Sequence, residues 1–226
     1  MRQEFAIFIQ AQTASESVAA DEGIKLLRLL NAKYKARYPV AALPIVYESA
    51  VSTLHEQGWW NGQAPNLLQA TDDQVQQVLN VLTSILSRVD QHHVPQPYSL
   101  LTKWLHFCFP DTFVFFDSQA ANSIQTCSDF MHGHLGPQSS IRRQFRRVSI
   151  YEKGGKGYMG LLRFYYLCGQ AADEGGLMGA LLKSSQQMEA VQHQIPGCLN
   201  TRISVLDVLD KHFWKANGDA HKLGIA

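Results

Sequence analysis

The chain has 226 residues, of which 46% are hydrophobic and 17% are charged. This balance predicts a globular protein and excludes an intrinsically disordered one, which would contain fewer apolar residues. No apolar run is long enough to cross a bilayer, and residues 1–5 lack the apolar core of a signal peptide. We therefore expect a cytoplasmic protein that makes no membrane contact.

The first helical pattern begins near residue 21, where Asp21 is predicted to be the N-cap, and it ends at Pro39. Five basic residues lie on or near its polar face: Lys25, Arg28, Lys33, Lys35 and Arg37. Pro44 is suited to the first turn of a second helix, which is expected to stop at Gly58.

Trp59 and Trp60 follow in an aromatic turn. Because tryptophan buries a large area, a core role is the simpler interpretation. The alternative is that the two rings stack on a nucleic-acid base.

A capping-box pattern at residues 71–74 predicts the start of a long helix that ends at His92 and His93. Arg88 and His93 also reproduce the arginine-to-histidine spacing of ribonucleases of the HEPN type, although Val89 replaces the polar residue usual after the arginine. An HEPN-like ribonuclease is therefore one alternative function.

Residues 97–124 form the least polar stretch and the central motif of the chain. Within it, Ser99 or Thr102 is expected to open a short helix, and Pro110 to stop it. Residues 113–116 are a short aromatic run, which predicts a buried extended segment.

Three polar residues of this motif have both a structural and a chemical interpretation. Lys103 either extends its amine to solvent or acts as a catalytic group. Asp117 is either the N-cap of the next helix or a catalytic carboxylate, and the two roles are compatible. His106 is expected to be a hydrogen-bonded core histidine.

Residues 128–140 are predicted to form a loop, and residues 158–172 a helix that follows a basic glycine-containing loop at residues 153–157. Because His132 and His134 have no placed third ligand, we expect no metal, and no cofactor is indicated. The four cysteines, Cys108, Cys127, Cys168 and Cys198, are far apart and predict reduced core thiols.

The chain as a whole has a net charge of +1, but residues 138–163 hold seven basic residues and one acidic residue. Such a concentration predicts contact with nucleic-acid phosphates. The candidate binding residues are Arg142, Arg143, Arg146, Arg147, Lys153 and Lys156.

A last helix is predicted from about Ile203 to Ala216, with Asp207 and Asp210 between its apolar residues. The sequence therefore predicts a mainly α-helical, single compact multi-helix domain over residues 1–226, with at most a short β element.

Residues 102–118 hold the pattern Thr-Lys-x-Leu-His-Phe, Pro-Asp-x-Phe and Phe-Asp-Ser, and residues 206–214 hold Leu-x-x-x-Asp-x-x-x-Trp. This pattern resembles poorly characterised bacterial proteins, whose central segment is similar to part of the helix–hairpin–helix DNA glycosylases, including the 8-oxoguanine type. The resemblance implies that Lys103 is the nucleophile and Asp117 its partner carboxylate. The chain departs from the family in lacking a glycine in residues 97–101 and in a shorter lysine-to-aspartate spacing.

The first hypothesis is thus a nucleic-acid-binding protein of DNA-glycosylase-like architecture, with DNA favoured as the partner. The second is a non-enzymatic regulatory or interaction module of bacterial defence or of a toxin–antitoxin pair, which would bind a protein partner. In that case Lys103 would satisfy the core by pairing with Asp117 or Asp111.

Overall fold

The computed structural model describes residues 16–116, 118–135, 137, 138, 142–145, 155–171, 183, 187 and 204–223. Helices account for 76% of the interpretable residues, which contain no strand. The prediction of a mainly α-helical protein is confirmed. No helix in the described ranges is both long and apolar enough to cross a membrane.

The helices are numbered here in chain order. They are α1 (Glu16–Lys33), α2 (Leu43–Glu56), α3 (Asp72–Asp90), α4 (Tyr98–Cys108), α5 (Ser118–His134), α6 (Arg142–Phe145), α7 (Gly155–Ala171), α8 (Val205–Ala216) and α9 (Ala220–Leu223). Short 3-10 turns lie at Val40–Ala42, Trp59–Asn61 and Leu67–Gln69.

The predicted ends of α1 are wrong at both termini. Asp21 lies inside the helix, which begins at Glu16, and the helix ends at Lys33 rather than at Pro39. Asn31 explains the early end. Its side chain donates to the Tyr38 carbonyl at 2.8 Å and accepts from the Tyr38 amide at 3.0 Å, so the chain turns back on itself.

The starts of α2 and α3 are confirmed. Pro44 lies in the first turn of α2. At α3 the Thr71 hydroxyl accepts from the Gln74 amide at 3.3 Å, while the Gln74 side chain accepts from the Thr71 amide at 2.8 Å. This reciprocal pair is the capping box that the sequence predicts.

Helix α4 begins at Tyr98, before either predicted N-cap. The segment 113–116 that follows is non-helical, and Phe113 and Val114 are fully buried. The Tyr158 hydroxyl accepts from the Val114 amide at 3.2 Å and donates to the Val114 carbonyl at 3.0 Å. One phenol on α7 thus satisfies backbone groups that would otherwise need a neighbouring strand.

Helix α5 continues to His134, so the predicted loop at 128–140 is wrong in its first seven residues. The reason is tertiary packing, because α8 packs along α5 and Cys127 and Ser128 are buried. Helix α7 begins at Gly155, three residues before its predicted start.

Helix α7 also packs closely on the 3-10 turn Leu67–Gln69. A Cβ added at Gly169 would lie 1.9 Å from the Leu68 carbonyl oxygen, so only glycine permits this approach. These contacts connect the C-terminal helices to the N-terminal half of the protein.

Candidate functional site

A cavity of about 250 Å³ lies between the end of α1, α4, the 113–116 segment and α8. Its inner side carries two buried carboxylates, Asp207 and Asp210, and aromatic rings form its walls. We refer to this space as the carboxylate cavity. The remaining lining residues are Lys33, Tyr34, Phe107, Phe115 and Lys211.

Helix α8 places two carboxylates and a lysine on one face. Asp210 follows Asp207 by three residues and Lys211 follows Asp207 by four, and residues at these spacings are neighbours on a helix surface. Asp207 also completes a capping box, since its side chain accepts from the Ser204 amide at 2.9 Å. The Ser204 hydroxyl donates to the Pro110 carbonyl at 2.8 Å, which connects the start of α8 to the turn after α4.

The His106 ring fixes Asp207 from the side of α4. Its Nδ1 lies 2.6 Å from the Phe113 carbonyl oxygen and its Nε2 lies 2.7 Å from Asp207 Oδ1. The ring of His106 thus connects the 113–116 segment to α8 through one contact from each nitrogen. The prediction of a hydrogen-bonded core histidine is confirmed.

Lys103 lies one turn before His106 on α4, and the expectation that its amine reaches solvent is wrong. The side chain is 5% exposed. Its Nζ donates to Ser99 Oγ at 2.8 Å and to the Phe116 carbonyl at 3.3 Å. The same nitrogen lies 5.5 Å from the ring centroid of Tyr34, a wall residue of the carboxylate cavity. The amine therefore lies over the ring of a residue that lines the cavity.

The entrance of the carboxylate cavity is basic. Lys33 and Lys211 are exposed, and the turn after α1 adds the exposed Lys35 and Arg37. Both turn residues have positive φ angles, 50° and 55°, which are unusual for side chains with a Cβ. The Asn31 contacts to Tyr38 hold this turn in place.

The structure describes only part of the predicted phosphate-binding segment. Arg146, Arg147 and Lys153 lie outside the described residues, as do the side chains of Arg143 and Lys156. The Arg142 guanidinium donates through Nε to the His132 carbonyl at 2.9 Å. That nitrogen of Arg142 thus has an intramolecular partner, and the other predicted contacts stay predictions.

Asp117, the predicted catalytic carboxylate, also lies outside the described residues. Its neighbour Phe116 is described and contacts Lys103 through its carbonyl. The predicted pairing of Lys103 with Asp117 therefore stays a prediction.

The two tryptophans predicted to stack on a base lie in a packed aromatic cluster. Trp59 is 1% exposed, and its ring centroid lies 5.5 Å from that of Phe113. Trp60 is half-buried, with its centroid 5.0 Å from that of Phe109. Trp59 has no open face for a base, so the core interpretation is the one that fits it. Trp214 on α8 is instead 50% exposed.

Arg88 and His93, the residues of the HEPN-like spacing, have separate surroundings. Arg88 forms a 2.5 Å ion pair with Glu56 on α2. His93 lies beyond the end of α3 with a φ of 56°. Within the described ranges, no group of three or more metal-ligating side chains comes together.

No protein-family model matches the chain, and searches of curated proteins and of solved structures gave no match.

The sequence did not identify the carboxylate cavity. Asp207 and Asp210 were visible as acidic residues within an apolar helix, which is the signal that could have marked them. Tyr34 and Phe115 carried no such signal, because surface and core aromatic residues look alike in sequence.

Proposed function

We propose that this protein binds nucleic acid and that the amine of Lys103 acts on the sugar of an extruded nucleotide. One observation carries the proposal: the Lys103 amine is buried and lies against the aromatic wall of a cavity large enough for a ring. The resemblance of residues 102–118 to helix–hairpin–helix DNA glycosylases points to the same lysine.

The proposed chemistry requires an uncharged amine, which is the nucleophilic form. The Lys103 side chain is buried, and the hydrogen bonds from Nζ to Ser99 and Phe116 hold the amine in a defined position. In the reaction, Nζ attacks the sugar C1′ and the bond from C1′ to the base breaks. The base leaves with the electron pair and takes up a proton. Opening of the sugar ring then gives a Schiff base on Lys103, and Asp117 would stabilise the positive charge developing on the sugar.

The basic segment at residues 142–156 would supply the contacts to the phosphate backbone. Each phosphate contact releases a counterion, so affinity is expected to decrease steeply with salt concentration. The first measurement is binding of DNA and RNA duplexes and single strands at two salt concentrations. The variant with Arg142, Arg143, Arg146 and Arg147 replaced by alanine should lose most of this binding.

Borohydride trapping tests the chemistry. Wild-type protein incubated with damaged or abasic DNA should give a covalent product after reduction, and mass spectrometry should place the adduct on the peptide that contains Lys103. The Lys103→Ala variant should give no adduct while still binding DNA, and Lys25→Ala, which removes an exposed lysine, should behave as wild type. An adduct on another lysine, or no adduct with any damaged DNA, would contradict the proposal.

A second candidate function is a non-enzymatic interaction module with a protein partner. The observation that favours it is the set of oxygen contacts that the Lys103 amine makes with Ser99 and Phe116, which connect α4 to the 113–116 segment. If this role is the important one, Lys103→Ala should decrease the free energy of unfolding by about 1.5–3 kcal/mol, as expected when a hydrogen bond from a charged group is lost. Trapping would then be absent in the wild type as well.

A further inference from the structure

We infer that the entrance of the carboxylate cavity binds a single nucleic-acid strand, and that Trp214 stacks there on a base next to the nucleotide in the cavity. This inference rests on the proposed function, because it names the form of nucleic acid that the same site accepts. Three properties of the entrance support it: an exposed indole ring, exposed cations on both sides, and a backbone that holds both in place.

Trp214 differs from the other tryptophans of the chain in its exposure. It is 50% exposed, whereas Trp59 and Trp104 are 1% and 0% exposed and Trp60 is half-buried. An indole ring that faces solvent is a flat surface on which a nucleic-acid base stacks, with little dependence on which base it is. Single apolar residues are common on protein surfaces, so the position of the ring decides whether it belongs to a site.

The position of Trp214 connects it to the carboxylate cavity. Asp207, Lys211 and Trp214 follow one another at spacings of four and three residues, so they lie on one face of α8. Asp207 and Lys211 both line the cavity, and Trp214 lies one turn further along that face. The helix is fixed from its other side, since Phe213 packs on Phe164 of α7 with ring centroids 5.6 Å apart.

Cations lie on both sides of the entrance. We refer to five exposed residues as the basic rim: Lys33, Lys35, Arg37, Lys211 and Lys215. The two segments that carry them, 31–40 and 211–217, contain no aspartate or glutamate. Asp207 and Asp210 are only 4% and 6% exposed, so the charge that the entrance presents to solvent is positive. Cations spread around an opening match the repeated phosphates of a strand.

The turn that carries Lys35 and Arg37 is held in one conformation. The Asn31 side chain bonds both backbone groups of Tyr38, and the Tyr38 hydroxyl donates to the Pro95 carbonyl at 2.7 Å. Side chains that start from a fixed backbone lose less conformational entropy when a ligand binds.

An exposed ring among cations suits a single strand better than a duplex. The bases of a duplex are paired and stacked on their neighbours, whereas those of a single strand are free to stack on a side chain. A membrane surface is the less suitable partner. A helix that lies among lipid headgroups presents a continuous apolar face, whereas on α8 Trp214 lies between Lys211 and Lys215 in sequence.

Tryptophan fluorescence of the full chain tests the inference, because Trp214 is the exposed tryptophan. The probes are a short thymidine oligomer and an abasic oligomer with the same number of phosphates. The thymidine oligomer should quench the fluorescence and bind at least roughly fivefold more tightly, as expected from stacking of one base. An intact duplex of the same length should cause little quenching. Equal affinity for the two oligomers, binding without quenching, or no binding would overturn the inference.

Substitutions at Trp214 locate the stacking. Trp214→Ala should weaken binding of a labelled thymidine oligomer, measured by fluorescence anisotropy, by roughly fivefold or more. Trp214→Phe is the matched control, because it keeps a ring on which a base stacks, and it should retain most of the affinity. Circular dichroism should show both variants folded, since the side chain is 50% exposed. Wild-type affinity in Trp214→Ala would show that this ring does not contact the bases and would overturn the inference.

Substitutions in the basic rim test the phosphate contacts. Lys211→Ala/Lys215→Ala should reduce the salt dependence of oligomer binding by roughly 1.4 in the slope of log affinity against log salt, at about 0.7 for each contact to a single strand. Lys25→Ala/Lys222→Ala is the control, because each of these lysines already forms an ion pair, and it should keep the wild-type slope. Equal reductions in both double variants would show that general charge binds the strand and would overturn the inference.

Vesicles of phosphatidylserine and phosphatidylcholine test the alternative partner. They should leave the emission of Trp214 unchanged. A shift of the emission to shorter wavelength with vesicles, without quenching by the thymidine oligomer, would overturn the inference in favour of an anionic membrane surface.

The two proposals fail separately. Nucleic-acid binding that depends on the arginine segment and not on Trp214 would overturn this inference and leave the proposed function standing. Binding that depends on Trp214, without any borohydride adduct on Lys103, would support the strand-binding entrance and overturn the proposed chemistry.

Discussion

Two aromatic regions of this protein differ in their neighbours. The cluster of Trp59, Trp60, Phe109 and Phe113 is packed ring against ring, with centroid distances of 5.0 to 6.4 Å. The carboxylate cavity also has aromatic walls, but it encloses about 250 Å³ and contains two carboxylates and two lysines. The first region is a core and the second is a candidate binding site.

The difference shows that aromatic residues mark a binding site only when an open volume and polar groups accompany them. In the cluster, the rings fill the space that their neighbours leave, so no ligand can enter. In the cavity, Asp207 and Asp210 lie beside the aromatic walls, and a space of about 250 Å³ is present between them.

The largest expected effect is a difference between the two regions in how much stability is lost when an aromatic residue is removed. Trp59→Ala should decrease the free energy of unfolding by about 3–5 kcal/mol, as is usual for loss of a buried large aromatic side chain. Phe115→Ala should decrease it by less, because Phe115 is half-buried, but should weaken nucleotide binding. Urea unfolding and calorimetry measure the two quantities.

Trp59→Phe is the matched control for that comparison. It retains an aromatic ring and removes an indole N–H that has no hydrogen-bond partner in the described part of the chain. Its effect on stability should be much smaller than that of alanine. Similar stability losses in Trp59→Ala and Phe115→Ala would show that the cavity wall is simply another part of the core.

The second prediction concerns the buried pair that lies between the two regions. Asp207→Ala leaves His106 without its carboxylate, and His106→Ala leaves Asp207 without its imidazole. Each change should decrease the free energy of unfolding by about 3–5 kcal/mol. The double variant should lose clearly less than the sum, because the two residues share one interaction. Additive losses in urea unfolding would contradict the direct pairing.

The smallest expected effect is a decrease in stability at high pH that is caused by buried cysteines. Burial raises the pKa of Cys127 from 9.0 to about 12, and burial also raises the pKa values of Cys108 and Cys168. The native state therefore disfavours the thiolate. This contribution to stability is fully present below pH 9.0 and is lost as the pH rises through about 12.

Two measurements check that prediction. Iodoacetamide should label Cys108, Cys127 and Cys168 only slowly in the native protein and rapidly in urea, because the thiolate is the reactive form. The decrease in stability above pH 9.0 should be smaller in Cys127→Ala than in the wild type. Rapid labelling of all three residues in the native state would show that these thiols are accessible.

Part of the site was predictable and part was not. Lys103 was chosen as a candidate catalytic residue because it lies in an apolar motif. His106 was correctly predicted to be a hydrogen-bonded core residue. No local pattern indicated Phe113 and Asp207 as the partners of His106, because Asp207 lies 101 residues further along the chain. Trp59 was proposed for stacking as an alternative to its core role, and its neighbours placed it in the core.

The sequence by itself determined the helical class, the capping box at residues 71–74 and the start of α2 at Pro44, because periodicity and capping act over one or two turns. Only the tertiary structure decided the carboxylate cavity. Its residues come from the end of α1, from α4 with the segment after it, and from α8. No local pattern specifies how segments so far apart in sequence meet, since packing of whole helices sets that geometry.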